Sequence, residues 1–220
     1  MKKILSFAAL IVLFNSCQHA TENNGDMNLS ALNKLKAGNE RFAEDSPVHP
    51  DETLKRKQEL KKEQHPFAVV VSCSDSRVPP ELIFDQGLGD LFIIRTAGNV
   101  IGTYEVGSIE YAVEHLHCKL VIVLGHQSCG AVKAFLESKG EKHQDHIQSI
   151  VDYIGSEQEV TSIVDSLKKN PLLAVKLNVK HGVKLLKNST PVLKPLVDKA
   201  ELNIIGAYYN LDNGKVSFEE

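Results

Sequence analysis

The chain has 220 residues, which suits one ordinary domain with a sizeable core. It is 42% hydrophobic and 24% charged, with a formal net charge of -3. A mildly acidic chain without a long basic stripe gives no electrostatic footprint for nucleic acid, and no such partner is expected. Its four cysteines stand at positions 17, 73, 118 and 129. Two of them fall into a metal-like pattern, so a disulfide framework is the weaker reading.

The first residues are read apart from the fold. Lys2 and Lys3 form a positive start, and Ile4 to Phe14 an apolar stretch too short to span a bilayer as a mature anchor. Leu13-Phe14-Asn15-Ser16-Cys17 then resembles a bacterial lipoprotein signal, which implies cleavage before Cys17 and lipid on its sulfur. Plain secretion with cleavage at a nearby small residue is the alternative. Residues 1–16 are thus expected to be a signal peptide, 17–27 a flexible tether containing Asn23-Asn24-Gly25, and 28–220 the folded domain. The expected location is outside the cytoplasm, as a periplasmic or outer-membrane lipoprotein or in the cell envelope. Membrane contact is expected only through the lipid.

Asn28-Leu29-Ser30 opens a helix with Leu29, Leu32, Leu35 and Phe42 at helical spacing, and Pro47 and Pro50 break it. Asp51 is placed to cap a second, Lys- and Glu-rich helix running through Glu63. Val69-Val70-Val71 is a β-branched run too short for a helix, and reads as a strand buried on both faces. Leu91 to Arg95 reads as the next strand, Ala97-Gly98-Asn99 as a loop, and Val106 to His115 as a helix with Ile109 and Val113 on one side. Leu120 to Leu124 is a third strand, followed by a helix over Gly130 to Ser138. The stretch from Lys139 to Asn170 is polar with helical pieces, Pro171 starts a helix to about Lys187, and Pro191 to Lys199 is a short one. Leu202 to Tyr209 reads as the last strand, turning at Asp212-Asn213-Gly214. Strands alternating with helices predict an α/β fold, a parallel β-sheet flanked by helices.

The chemistry gathers where two strands end. Val71-Ser72 leads into Cys73-Ser74-Asp75-Ser76-Arg77, spaced C-x-D-x-R, and Leu124 leads into Gly125-His126-Gln127-Ser128-Cys129-Gly130. In an open α/β sheet, ligands bind beyond the carboxyl ends of the strands. Neighbouring parallel strands would bring Cys73, His126 and Cys129 to one edge. Two thiolates and one imidazole suit zinc, with a fourth position left for a water whose pKa the metal lowers. Two thiolates also damp the metal's charge, so that water should lose its proton somewhat above neutrality. Arg77 is near enough in sequence to hold Asp75 in a bidentate pair. Paired, Asp75 accepts a hydrogen bond from zinc hydroxide; released, it could fill the fourth position itself.

Cys73-x-Asp75-x-Arg77 with His126-x-x-Cys129-Gly130 resembles the β-class carbonic anhydrases. Phe84 to Phe92, Arg95-x-Ala97-Gly98-Asn99, Ser108 to Ala112 and Gly206-Ala207-x-Tyr209 are similar to the same family in the same order, so the likeness runs from Asn28 to Val216. It implies a lyase that reversibly hydrates carbon dioxide to bicarbonate and a proton. One zinc per chain would sit on Cys73, His126 and Cys129, with an Asp75–Arg77 dyad beside it. The resemblance further implies a homodimer or dimer of dimers whose N-terminal helices pack on a partner subunit, which the stripe at Leu29, Leu32 and Leu35 fits. It sets Gln86 and Tyr111 beside carbon dioxide or bicarbonate across the dimer interface; the Gly130 N–H, at a helix start, reads separately as a further contact for a substrate oxygen.

Other readings remain beside it. A structural zinc site normally shows four closed ligands, and no fourth thiol lies nearby. Cys118 reads as a buried, inert thiol. The C-x-x-x-R spacing of Cys73 and Arg77 is too short for a phosphatase loop, and Gly125-x-x-Ser128-x-Gly130 is one residue too long for a nucleophile elbow. His143 with His146, and His115 with His117, read as solvated surface. Hydrolysis of carbonyl sulfide or carbon disulfide with the same ligands is the alternative within chemistry. A non-catalytic zinc- or bicarbonate-binding lipoprotein is the alternative outside it, and an intact Asp75–Arg77 pair argues against that.

Overall fold

The computed structural model describes residues 24–138, 142, 144–156 and 163–219. The β-branched run becomes β1, Ala68–Cys73, and all of its residues are buried. Strands β2 (Leu91–Thr96), β3 (Leu120–His126) and β4 (Asn203–Tyr209) join it, and β5 (Val216–Glu219) closes the sheet in the order β2-β1-β3-β4-β5. The first four strands run parallel and β5 pairs antiparallel with β4. The expected turn at Asp212-Asn213-Gly214 thus returns the chain as a strand. Side chains alternate across the sheet. Val70, Ile122 and Leu124 enter the core on one face, and Val69, Val71, Val121 and Val123 the core on the other.

Ten helices and turns cover these faces among the described residues. They are α1 (Asn24–Ala43), α2 (Leu54–Glu59), α3 (Pro80–Ile83), a 3-10 turn at Ala97–Asn99, α4 (Thr103–Glu114), α5 (Gly130–Glu137), α6 (Ile147–Ile154), α7 (Val164–Lys169), α8 (Pro171–Lys187) and α9 (Leu193–Asp198). The predicted α/β class is the one observed, and α8 begins at the proline that announces it, with Asn170 accepting from the Leu173 N–H as its cap. Helix α8 lies hard against the sheet. A Cβ at Gly125 of β3 would come within 2.5 Å of Val179 and 2.8 Å of Val175, so only glycine fits.

Three expectations need correction. Helix α1 starts at Asn24, ahead of Asn28, so the last residues assigned to the tether are helical; Asn, Gly and Asp are types favoured at a helix start. The rest of residues 1–23, Cys17 included, lies outside the described residues, as do the side chain of Leu29 and His143. Second, α2 ends at Glu59 and is capped by Thr53, whose hydroxyl accepts from the Arg56 N–H. Asp51 has φ 56°, whereas a cap needs extended backbone, and a helix with no buried residue has little to prolong it. Third, the α1 stripe does not wait for a partner. Leu35 is 0% and Leu32 5% exposed, both packed into the chain's own core, with Phe42 against it.

Asn39 ties the same helix down. Its Nδ2 donates to the carbonyls of Ile83 (3.1 Å) and Gly214 (2.8 Å), and its Oδ1 accepts from the Val216 N–H (2.7 Å). Leu35→Ala should therefore cost the folded chain about 3 kcal/mol, the usual penalty for a buried cavity of that size, read by urea unfolding. A variant of unchanged stability with weakened self-association would return the stripe to a partner.

Candidate metal centre

The two strand ends meet because of register. Ser72 of β1 pairs with Leu124 of β3, so Cys73 leaves its strand beside Gly125 and His126. Cys129 follows one tight turn later, in which Ser128 takes φ 56°, and it stands at the start of α5. The ligand atoms of Cys73, His126 and Cys129 lie within 4.8 Å of one another, and all three residues are buried. This is the expected convergence.

The donor set fits a metal ion. His126 Nδ1 lies 2.9 Å from the Gln127 carbonyl, which can only accept, so Nδ1 carries the proton and Nε2 its lone pair. Among the described residues that buried Nε2 has no hydrogen-bond partner, an unusual cost that coordination to a metal would remove. The sulfurs are tuned as a pair. The neighbouring Cys129 thiol, helped by the Asp75 and Gly98 N–H groups, holds Cys73 far below the ordinary thiol value against burial. The same contact, then burial, pushes Cys129 up. Two sulfurs and a bare imidazole nitrogen, with Cys73 inclined to the thiolate, are a donor set that suits a cation such as zinc.

Asp75 stands at the rim. Arg77 grips it twice, Nε to Oδ1 at 2.9 Å and Nη2 to Oδ2 at 2.7 Å, and the Arg77 N–H adds a bond to Oδ1 at 3.0 Å. The guanidinium beside Asp75 holds its carboxyl well below the usual carboxylate range. Oδ2 remains 4.0 Å from His126 Nε2, near the ligand cluster but turned to the arginine. Arg77 Nη2 also reaches the Ser128 carbonyl at 3.4 Å, joining the two loops.

The sequence reading missed the supports of this centre. Arg95 donates to the carbonyls of Cys73 (3.0 Å) and Asp75 (2.6 Å). The Gln127 side chain bonds Asp212 and the Leu211 N–H, both at 2.8 Å, tying the histidine loop to the β4–β5 turn. Gly98 donates its N–H to Cys73 Sγ at 3.3 Å, and buried Asn178 of α8 donates to the Gly98 carbonyl at 2.9 Å. Asn178 was detectable as a polar residue spaced with Ala174, Val175 and Gly182 on the buried face of its helix.

The remaining site candidates are dispersed. Gly130 opens α5 next to Cys129, and a Cβ on it would meet nothing within 4 Å. Gln86 is engaged by Nε2 with the Phe84 carbonyl at 2.7 Å, and Tyr111 packs on Phe92 and His115 with its ring half exposed. Phe92 lies at the start of β2, while Cys73 pairs with Thr96 at its end, so Tyr111 serves the opposite end of the sheet. Cys118 is buried as expected, its thiol donating to the Pro66 carbonyl at 3.2 Å, and burial pushes it up to about 12. His115 and His117 are exposed.

Comparisons with known proteins converge on one family. A family model described as carbonic anhydrase matches residues 68–216. The chain is 40% identical to a carbonic anhydrase of Mycolicibacterium smegmatis over 194 residues, covering 86% of this chain and 91% of that one. It is 37% identical to carbonic anhydrase 2 of Mycobacterium tuberculosis, covering 85% and 90%. Among solved structures, the β-carbonic anhydrase CafA of Aspergillus fumigatus superposes with a TM-score of 0.66 at 28% identity, covering 87% of this chain and 90% of that one. With its parallel sheet, its two converging strand ends and matches spanning most of its length, this chain belongs to the β-class carbonic anhydrases.

Proposed function

We propose that this enzyme reversibly hydrates carbon dioxide to bicarbonate and a proton with one zinc per chain, held by Cys73, His126 and Cys129. The observation that carries the reading is the buried Nε2 of His126, unpartnered among the described residues, with two thiols within 4.8 Å. Zinc in that set would acidify a water enough for it to attack carbon dioxide, losing its proton somewhat above neutrality because two thiolates damp the metal's charge. The chain's residues do the rest. Cys73 and Cys129 supply negative charge, and the Gln127 carbonyl fixes the ring of His126. Asp75 Oδ2, ionised and acceptor-only, admits an oxygen that carries a proton and orients it, while Arg77 keeps that carboxylate from turning to the metal. The Gly130 N–H is a donor for a substrate oxygen.

The open edge of the sheet supports a homodimer. Strand β2 is half exposed along its whole length, and Leu82, Leu88, Tyr104 and Tyr111 are exposed near it or on the helices beside it. We assign Gln86 and Tyr111 to substrate contact at a partner's centre. We further propose that residues 1–16 direct export and that lipid on Cys17 anchors the enzyme in the cell envelope.

Purified protein should carry about one zinc per chain, and Cys73→Ser or His126→Ala should lose most of the metal and the activity. Full metal and full turnover in both would overturn the ligand assignment. Arg77→Ala should stay folded and zinc-loaded while carbon dioxide hydration falls about 100-fold, and Asp75→Asn should likewise keep zinc and lose activity. Wild-type turnover in Arg77→Ala would refute the dyad. The sign of the carboxyl shift adds a pH expectation. A lowered pKa means the Asp75–Arg77 pairing is complete above the ordinary carboxylate range and fades only below it. No titration of Asp75 should therefore show in the rate profile between pH 6 and 9, roughly the span far above that range. For the anchor, the native product should incorporate labelled fatty acid and partition into detergent, and Cys17→Ala should abolish both; a released, unlabelled wild-type product would favour plain secretion.

A further inference from the structure

We infer that Asn178 is a positioning residue of the metal centre: from helix α8 it holds the Gly98 peptide so that the Gly98 N–H meets the sulfur of Cys73. The inference rests on Cys73 being a zinc ligand, as proposed above. Asn178 is 2% exposed, and its Nδ2 donates to the Gly98 carbonyl at 2.9 Å. Gly98 in turn donates to Cys73 Sγ at 3.3 Å, inside the core. The glycine has no freedom to find this position another way. It sits at φ 69°, ψ 20°, and a Cβ on it would stand 2.7 Å from the Cβ of Ala131, two residues beyond Cys129. Gly98 is therefore wedged between the two sulfur ligands' segments, and α8 supplies the clamp.

The asparagine is retained at a cost. Its Oδ1 is buried without a hydrogen-bond partner among the described residues, and its neighbours on that helix face, Ala174, Val175, Val179 and Gly182, are apolar or small. A leucine would cover the same face but would leave the buried Gly98 carbonyl without its donor, so the amide is kept for that carbonyl and not for packing. What the amide provides is a fixed donor behind a thiolate. An N–H directed at a thiolate draws charge from the sulfur and sets its place relative to the metal.

The test uses the full-length folded enzyme and compares wild type with Asn178→Leu, and with Asn178→Ala as a smaller replacement. Cobalt is exchanged for zinc, and the sulfur-to-cobalt charge-transfer absorption is recorded alongside zinc affinity by chelator competition, thermal melting and near-ultraviolet circular dichroism. The expected result is a folded variant whose charge-transfer band moves to longer wavelength and whose zinc affinity falls about 10-fold. A folded variant with a lower melting temperature but an unmoved band and unchanged affinity would make Asn178 merely structural and overturn the inference. A wild-type protein that takes up cobalt without any thiolate band would overturn both this inference and the zinc reading beneath it.

Discussion

The parallel pairing of β1 with β3 is the constraint on which the rest depends. Val69 to Ser72 lie opposite Val121 to Leu124, and both strands are buried throughout. Because side chains alternate with a period of two, a slip of one residue would send Val69 and Val71 into the core that Val70 fills and Val70 into theirs, mismatching both. The register is thus held by the cores on both faces, and the site inherits it: Cys73 and His126 emerge together because the valines beneath them cannot do otherwise. Gly125 adds the close approach of α8, which carries Asn178 to the back of the centre.

Two carboxylates show how differently one charge is used. Asp85 is buried with Arg41 Nε at 2.5 Å and accepts from the Val48 (3.1 Å) and His49 (2.9 Å) N–H groups. Burial alone would push its carboxyl up, yet those donors outweigh it and leave the net direction downward. That network anchors the irregular chain after α1. Asp75 meets its arginine at the rim, within reach of the cluster, where the same kind of pair leaves an oxygen available. Position, and not the strength of the pair, separates a structural carboxylate from the one proposed to take part in catalysis.

The sequence made the sheet and the three candidate ligands legible because both are local signals: short β-branched runs, each ending in reactive side chains. Helix α8 was equally plain from its opening proline. The N-terminal stripe was not, since periodicity tells which face is apolar and never what covers it; Leu32 and Leu35 proved to face their own core. Helix α2 was overextended because a favourable capping residue at Asp51 says nothing of its φ. Asn178 escaped notice because its partner, Gly98, is remote in sequence and joined only by the fold. Gln86 and Tyr111 came from family likeness, and nothing in the lone chain brings them to its own sulfurs.

The β1–β3 register has a kinetic consequence. Pairing Val69 with Val121 closes a long loop that contains β2 and α4, and Asn178 adds a link from still farther along the chain. Loop-closure entropy must be met before such contacts return any stabilisation, and parallel, non-local pairings of this kind fold slowly. The sulfurs and the imidazole are consequently strangers during collapse and become neighbours only when the central sheet is complete. A cation that needs all three would then recognise the finished sheet and not its precursors, acting as a late lock whose binding slows unfolding more than it hastens folding.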